Sequence, residues 1–474
     1  MSDTAGGEGR MGRAVVIGGG LAGMLAAAAL APFADDVTIV EQRDVPATHP
    51  TPGENLPQDR HVHVLMSGGA KAIEALLPGA LEHWAEAGAA KIPLPSGVVS
   101  YTPGGWHRQW PAAHYLIACS RDLLDQHVRD IVLADPRIRL LDKTGVRALT
   151  GSAQRVTGVR VASREGLEWC IDADLVIDAS GRDSNTVNWL AALGITGIRE
   201  RHIASTLVYA SRTYQAPARN NGAPLVQIAT APHTPGPRQT GTLIPIERGR
   251  WQVSLAGTGS GAPSEAKDAF VPFALQLPHP MIGQLIARAA PLTDVQVSDA
   301  TGSSRRYFED ARHWPEGLVV LGDATATYNP LYGQGMSVAA LHARALFHTL
   351  ARMQLHAPGT ARTAQKAIAR LTEAAWSLST SQDALYPHAA NAAPSLADRA
   401  KGRYLNRLSQ AAATSAQAAA TLTQVTALEA SPARLLKPSM LLAAGLGRWR
   451  RPLAYPPLTD AQRAVVNFAD HPEP

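Results

Sequence analysis

Gly18, Gly20 and Gly23 stand in G-x-G-x-x-G order between two kinds of apolar sequence. Before them runs Ala14-Val15-Val16-Ile17; after them an alanine- and leucine-rich stretch extends from Leu21 to about Phe33. Asp35 and Asp36 mark a turn, Val37-Thr38-Ile39-Val40 makes a second short run, and Glu41 ends it. Short unbroken apolar runs bounded by turn residues read as buried parallel strands, and the stretch between them as a helix. Strand, glycine turn, helix, strand and terminal acid are the parts of a dinucleotide fingerprint in their proper order. Gly18 serves the tight turn, Gly20 the approach of a pyrophosphate and Gly23 the packing of helix on strand. Glu41 falls where an acid bridges ribose hydroxyls, and its charge disfavours a 2′-phosphate. A lone glycine turn is also a structural device, so the reading rests on the whole strand–helix–strand register. The nucleotide-facing candidates are Gly18, Gly20, Leu21, Ala22 and Gly23, with Glu41, Gln42 and Arg43 after the second strand.

A second stretch lies far along the chain. Gly317 to Leu321 is apolar and reads as another buried strand; Gly322-Asp323-Ala324 follows, then Pro330-Leu331-Tyr332-Gly333-Gln334-Gly335-Met336. From Ser337 to Leu346 the apolar residues recur at helical spacing. A helix that starts at a glycine loop aims its N–H groups and its positive dipole end at an electron-rich ligand.

The two stretches together resemble FAD-dependent monooxygenases of the p-hydroxybenzoate hydroxylase type. The resemblance implies that Gly322 and Asp323 hold the ribityl and pyrophosphate part of FAD. It also implies that Pro330, Gly333, Gln334, Gly335 and Met336 abut the isoalloxazine. The family's middle motif is altered here to Asp178-Ala179-Ser180-Gly181-Arg182, after the strand Leu175-Val176-Ile177, and Asp178 is carried over as a cofactor contact. Arg121 resembles the family arginine at the nucleotide portion. Pro57 to Leu65, Ser67-Gly68-Gly69, Leu76 to Gly79, Gly181 to Ser184 and Asn329 to Ser337 are similar to polyether epoxidases of the monensin and lasalocid type, relatives of squalene epoxidases. On that likeness Arg60 and His61 stand close to the flavin ring. His61 and His63 alternate and would share one face of a strand; the other reading is a polar pair at a domain seam. Two histidines without an acid or cysteine cluster make no metal site.

The fold class expected is α/β plus antiparallel β: a Rossmann-like FAD-binding domain with an inserted β-sheet substrate domain and a C-terminal helical region. The FAD-binding domain is expected in three parts, 12–75, 119–196 and 301–350, the substrate domain in two, 76–118 and 197–300, and the helical region over 351–474. Ile138 to Leu141, Gly145 to Leu149 and Val156 to Val161 read as a meander. His202 to Tyr214, Leu225 to Ala229, Thr240 to Ile246 and Trp251 to Gly257 read as an antiparallel sheet, followed by helices over 264–276 and 280–290. Trp106, Trp110 and Tyr115 are either a substrate wall or ordinary core. Beyond Leu350 the expected helices are 360–385 and 395–428. Leu435, Leu436, Met440 to Leu442 and Arg448, Arg450 and Arg451 have the make-up of a membrane-surface helix. The preferred alternative is a helix docked on the body or capping the substrate entrance.

Composition narrows the rest. Hydrophobic residues are 45% and charged residues 18% of the chain, which suits a globular protein with ample core. The net charge of +5 comes without a dense Lys/Arg block interleaved with aromatics, so nucleic acid is not an expected partner. Two cysteines, Cys119 and Cys170, in strand-like runs favour a reduced cytoplasmic protein. The apolar run Val15 to Phe33 is explained by the glycine turn and alanine helix rather than by a membrane span or signal peptide.

The chemistry expected is insertion of one oxygen atom from O2 into an apolar secondary-metabolite substrate through a flavin C4a-hydroperoxide, as alkene epoxidation or hydroxylation. Electrons come from NAD(P)H bound directly or from a separate partner reductase. The cofactor carries the oxygen transfer, so no protein nucleophile is required. The alternatives are a flavin halogenase, to whose loop Gly53 to Pro57 is faintly similar, a geranylgeranyl-reductase-like flavin reductase, or a nucleotide-binding protein without turnover.

Overall fold

Five short strands lie side by side in parallel in the computed structural model, which describes residues 11–45, 61–102, 104–217, 224–230, 238–299, 301–383, 396–446 and 453–470. Their order is Leu318–Val320, Leu175–Asp178, Arg13–Ile17, Asp36–Val40, Ile138–Leu141. The first strand of the chain therefore sits in the middle, with the next strand of the chain on one side and a strand from far along the chain on the other. That is a switch point, and ligands of such sheets bind beyond the carboxyl ends of the strands there. Ile138–Leu141 pairs with Asp36–Val40. It is thus an edge of this sheet and not part of the expected meander, which consists of Thr144–Gly151, Val156–Ser163 and Glu168–Asp172. Four apolar residues alone do not distinguish the two sheets.

Helix Leu21–Leu30 is buried nearly all round, because it lies between the parallel sheet and helices Arg121–Leu133 and Gly335–Leu350. Alanine suits that place: it forms helix at little entropy cost and lets neighbours approach closely. The outer edge of the sheet is closed by a side chain. Gln365, on helix Thr360–Asp383, accepts from Val320 N–H at 2.8 Å and donates to Val320 C=O at 3.2 Å, standing in for a further strand.

Between visits to the parallel sheet the chain builds an eight-stranded sheet. Its centre is Leu207–Gln215, Arg250–Thr258, Gln239–Ile246 and Leu225–Ala229, antiparallel throughout. Val98–Thr102 then adds in parallel to Leu225–Ala229, so the sheet is mixed. The expected strand 202–214 is split: Glu200–Ile203 pairs with Ser303–Arg306 in a separate small sheet. The strand expected at Trp106 to Trp110 is only Gly105–Trp106. The helices expected at 264–276 and 280–290 shorten to Phe270–Leu275 and Met281–Ile286.

The C-terminal layer is helical. The expected helix over 395–428 is two, Leu396–Ala412 and Ala416–Thr426, since the Ser415 hydroxyl accepts from Ala418 N–H and starts a new helix. Helix Pro438–Leu446 buries Met440 and Ala444 and leaves Leu441, Leu442 and Leu446 exposed. Helix Asp460–Asp470 packs on Met281–Ile286, with Val465 in that core. No helix among the described residues is long and apolar enough to cross a membrane. Cys119 is buried; Cys170 is exposed.

Candidate functional site

The glycine loop is stitched across the switch point. Gly18 N–H donates to Val40 C=O at 2.8 Å, and Ala179 N–H to Ile17 C=O at 2.9 Å. A side chain at Gly23 would put its Cβ 1.8 Å from Gly18 O, so helix and loop touch backbone to backbone there. At Gly20 the same construction meets nothing within 4 Å. Gly20 caps helix Leu21–Leu30 without any side-chain hydrogen bond, so the first-turn N–H groups face an open space. Glu41 closes one side of that space. Its carboxylate accepts from Gly19 N–H at 2.7 Å and from Arg43 N–H at 3.0 Å, and each oxygen keeps acceptor capacity for a hydroxyl. Gln42 and Arg43 are exposed beside it.

The late stretch meets the early one. A Cβ at Gly322 would lie 2.9 Å from the Cβ of Ala22, which brings the two turns into contact. Asp323 sits in the short turn Gly322–Ala324 with no hydrogen bond to its carboxylate among the described residues. Burial pushes its pKa up, and the positive charges of Arg182 and Arg121 pull the other way. Arg121 opens its helix with Nε 2.7 Å from Asp125, and its charge acts on Asp323. A Cβ at Gly335 would come no nearer than 3.9 Å to Asp323 Oδ1, so helix Gly335–Leu350 begins directly above the carboxylate.

Asp178 is differently employed from the sequence expectation. Its wholly buried carboxylate accepts from Ser180 N–H at 2.9 Å, from the Ser180 hydroxyl and from the hydroxyls of Ser184 and Thr186. These bonds hold the 178–186 loop in shape and leave the side chain nothing to offer a ligand. Met336 likewise has its side chain in the core cluster that holds Leu21 and Met24, and its backbone N–H belongs to the first turn of helix Gly335–Leu350. Gln334 is buried and accepts from the Ser379 hydroxyl at 3.1 Å.

Below the turn Pro330–Tyr332 lies a cavity of about 320 Å³, mostly apolar, with Pro330 and Gly333 in its wall. Val64, Met66, Leu116 and Leu225 supply much of the apolar lining, and Ala419 and Leu422 of the C-terminal layer close the other side. His61 lines it, Nδ1 2.8 Å from the Ser211 hydroxyl, and burial lowers its pKa. Residues 61–64 form no strand, so His61 and His63 do not share the expected strand face. Val62 N–H instead donates to Ser254 Oγ at 2.9 Å, fixing the segment irregularly on the large sheet. Trp110 belongs to the cavity wall, whereas Trp106 is core, packed edge-on against Tyr101, and Tyr115 stacks under Lys91. Arg60 and the segment 53–57 lie outside the described residues. No group of His, Cys, Asp or Glu among the described residues is arranged to hold a metal ion.

Three contributors carry little signal in the sequence. Arg182 reaches Asp323 electrostatically from the altered middle motif. Asn329 caps the Pro330–Tyr332 turn by accepting from Leu331 N–H at 3.1 Å. His342 accepts from Gly322 N–H at 3.1 Å from inside the core; its one mark in the sequence is an imidazole directly after the apolar run Val338-Ala339-Ala340-Leu341.

A parallel sheet with a glycine loop at its switch point, a second turn meeting that loop and a neighbouring apolar cavity define an FAD-binding flavoprotein fold of the p-hydroxybenzoate hydroxylase type. An unpartnered acid, two unsatisfied helix starts and the space over Gly20 fit that cofactor. The chain belongs to the FAD binding domain family, whose description matches residues 12–363, and with it to the FAD-dependent monooxygenases. It is 29% identical over 392 residues to Protein Rv3254 of Mycobacterium tuberculosis (79% of this chain, 81% of that one). It is 28% identical over 345 residues to kynurenine 3-monooxygenase of Salinispora arenicola (69% of this chain, 70% of that one). The solved structure of the flavin-dependent brominase Bmp2 superposes with a TM-score of 0.59 at 17% identity, covering 78% of this chain and 86% of that one; this is a likeness of fold.

Proposed function

We propose that this protein is an FAD-dependent monooxygenase that transfers one oxygen atom of O2 to an apolar substrate of the secondary-metabolite kind, by alkene epoxidation or by hydroxylation. The observation that carries the reading is the position of the Pro330–Gly333 loop. One end of the loop forms part of the wall of an apolar cavity, and the helix that follows starts over Asp323, whose turn meets the early loop at Ala22. When bound, FAD supplies the activation of oxygen. The chain's own residues do the rest. Asp323 and the first-turn N–H groups at Leu21 hold the ribityl and phosphate groups, and Glu41 the ribose. The N–H groups opening helix Gly335–Leu350 present partial positive charge to the electron-rich edge of the ring.

The cavity walls keep water from the reacting centre. His61 is neutral, since burial lowers its pKa, and it hydrogen-bonds Ser211. Epoxidation of an alkene asks for no proton abstraction from substrate, which agrees with a lining that holds no carboxylate among the described residues. The likeness of the 57–79 and 329–337 segments to polyether epoxidases supports that choice. Electrons come from NAD(P)H, either at this protein or through a partner reductase.

The test is mass spectrometry of products formed from candidate pathway intermediates under heavy-isotope O2. Gain of one labelled oxygen is the expected result. Gain of halogen or of hydrogen would assign the protein to the halogenases or the flavin reductases instead.

A further inference from the structure

The large sheet has two unlike faces. Residues adjacent on a strand point to opposite sides. Val99, Val226, Leu243 and Val253 point into an apolar core shared with helices Phe270–Leu275 and Met281–Ile286. Their chain neighbours Ser100, Gln227, Thr242 and Ser254 point the other way and line the cavity below Pro330–Tyr332. These residues are register partners from strand to strand: Ser100 with Gln227, Gln227 with Thr242, Thr242 with Ser254, and Ser254 with Ser211. One hydroxyl or amide per strand therefore forms a row across the sheet, with neighbours about 5 Å apart. The rows beside it differ. On one side stand Val98 and Leu225, also register partners. On the other stand Ala229, Thr240 and Ala256, where the Thr240 hydroxyl already donates to Ile228 C=O at 2.9 Å.

The two ends of the polar row do different work. Ser211 and Ser254 bond to each other at 2.5 Å and hold the segment beside the Pro330–Gly333 loop. His61 Nδ1 lies 2.8 Å from Ser211 Oγ, Val62 N–H donates to Ser254 Oγ at 2.9 Å, and Gly333 packs against Val64. Thr242, Gln227 and Ser100 continue the row away from that loop. Gln227 and Ser100 also line a second chamber of about 400 Å³ next to the first. None of these three side chains has a hydrogen-bond partner among the described residues. Polar groups facing an apolar cavity cost free energy unless a partner meets them. All three are neutral at any ordinary pH. A hydroxyl and a primary amide each donate and accept, so they match a ligand hydroxyl, which does the same, or a carbonyl.

We propose that Ser100, Gln227 and Thr242 determine specificity in this cavity by receiving a neutral oxygen function, a hydroxyl or a carbonyl, carried by an otherwise apolar substrate. Gln227, in the middle of the three and at the junction of the two chambers, makes the principal contact. The reacting part of the substrate lies toward the Pro330–Gly333 loop, at the end of the row that Ser211 and Ser254 occupy. The assignment rests on the proposed function only in taking that side as the reacting one. It narrows an apolar substrate to an oxygen-bearing one, which neither the fold nor the family description supplies.

The experiment is calorimetric titration of the purified protein with 4-phenylbutan-1-ol and, separately, with butylbenzene, which has the same carbon skeleton and no oxygen. No turnover is involved, so the outcome is independent of the labelled-oxygen test. Gln227→Leu, close in size, is expected to weaken binding of the alcohol about fivefold to tenfold, the net effect of losing a neutral hydrogen bond. Butylbenzene is expected to bind that variant at least as tightly as wild type. Thr242→Val, which keeps the shape of the side chain, is expected to act in the same direction by a smaller factor, and it carries the test alone if Gln227→Leu does not fold. A substitution that weakens both probes alike, or that leaves the alcohol unaffected at Gln227, overturns the proposal. So does a wild-type protein that does not take up the alcohol.

Discussion

The backbone N–H of Gly322 donates to Nδ1 of His342 across 3.1 Å, behind the turn that carries Asp323. The other ring nitrogen lies 3.1 Å from the Thr372 hydroxyl, which itself donates to Ile368 C=O at 3.0 Å. A hydroxyl has one proton, and Thr372 gives it to Ile368, so it accepts from His342 Nε2–H. His342 is therefore neutral, with its proton on Nε2, and its fully buried ring fixes the Gly322 peptide. Replacing it by His342→Leu keeps the volume and orphans a buried N–H, which costs about 1–3 kcal/mol. The expected outcome is a protein that still folds but retains less flavin. His342→Asn, which keeps an acceptor near the Nδ1 position, is expected to regain part of it. The ratio of flavin to protein absorbance on purification measures both, and equal flavin content in all three proteins would remove His342 from the site.

Burial of the same ring makes stability depend on pH. Burial lowers the His342 pKa from the ordinary 6.5 to about 3. Between those values the unfolded chain binds a proton that the folded one refuses, so the contribution is complete above about pH 6.5 and is lost as the pH falls toward 3. Wild-type protein is expected to lose more unfolding free energy than His342→Leu on going from about pH 7.5 to about pH 4.5. Denaturant titrations at the two pH values check this, and parallel losses would contradict it.

The extent to which this site is legible in sequence follows from the range of the forces involved. Gly18, Gly20, Gly23 and Glu41 form one local strand–turn–helix–strand unit, and local geometry is written in adjacent residues. Gly322 and Asp323 stand out for the same reason. The contact between Ala22 and Gly322 joins residues far apart in the chain, and only the resemblance to a family brings them together. Asp178 misleads because its neighbours decide its use: with Ser180, Ser184 and Thr186 near in sequence, the carboxylate satisfies its own loop. Ile138–Leu141 misleads because strand partners are chosen in the tertiary fold. Trp106 and Trp110 are four residues apart and alike in sequence, yet one is core and the other cavity wall. Trp106 packs in the core of the large sheet and Trp110 against the helical layer, a division no local pattern reports.

Two glycines of one loop are expected to respond oppositely. At Gly23 a methyl group would collide with Gly18 O at 1.8 Å, so Gly23→Ala is expected to destabilise the protein by about 1–3 kcal/mol or more. At Gly20 the backbone is extended and a methyl group meets nothing within 4 Å, so Gly20→Ala is expected to melt like wild type when free of flavin. Its loss appears only in flavin affinity, because the methyl occupies space proposed for the pyrophosphate. Apoprotein melting curves together with flavin titrations separate the two effects; a Gly20→Ala protein with unaltered flavin affinity would place the ligand elsewhere.

Asp323 poses the complementary case. Its carboxylate has no hydrogen-bond partner among the described residues, and burial disfavours its charge. Such a group destabilises the protein that holds it unless a ligand supplies donors. Asp323→Ala is expected to purify largely free of flavin and yet, compared as apoproteins, to be at least as resistant to denaturant as wild type. Full flavin occupancy in the variant would contradict the proposed role, and a large loss of apoprotein stability would make Asp323 a structural residue.

The C-terminal layer that closes the cavity is fastened by Glu429. Its carboxylate takes the Ser67 hydroxyl and lies 2.6 Å from Lys71 Nζ and 3.0 Å from His114 Nδ1. Burial alone would raise its pKa, but hydrogen bonds from Lys71, Ser67 and His114 prevail and hold it to about 2. Because the folded value is depressed, the contribution is complete above the ordinary 4.5 and is lost as the pH falls through about 2. Glu429→Gln removes the charge and keeps the shape, leaving Lys71 without its anion. The layer following Ala416–Thr426 is then expected to exchange its amide hydrogens faster near neutral pH, while helix Leu21–Leu30 exchanges as before. The loosened wall is also expected to weaken retention of apolar ligands in the cavity, with flavin content unchanged. Hydrogen exchange read by mass spectrometry decides the matter: identical protection in the 416–446 peptides of both proteins would mean that apolar packing, through Leu408, Val425 and Met440, holds the layer without this ion cluster.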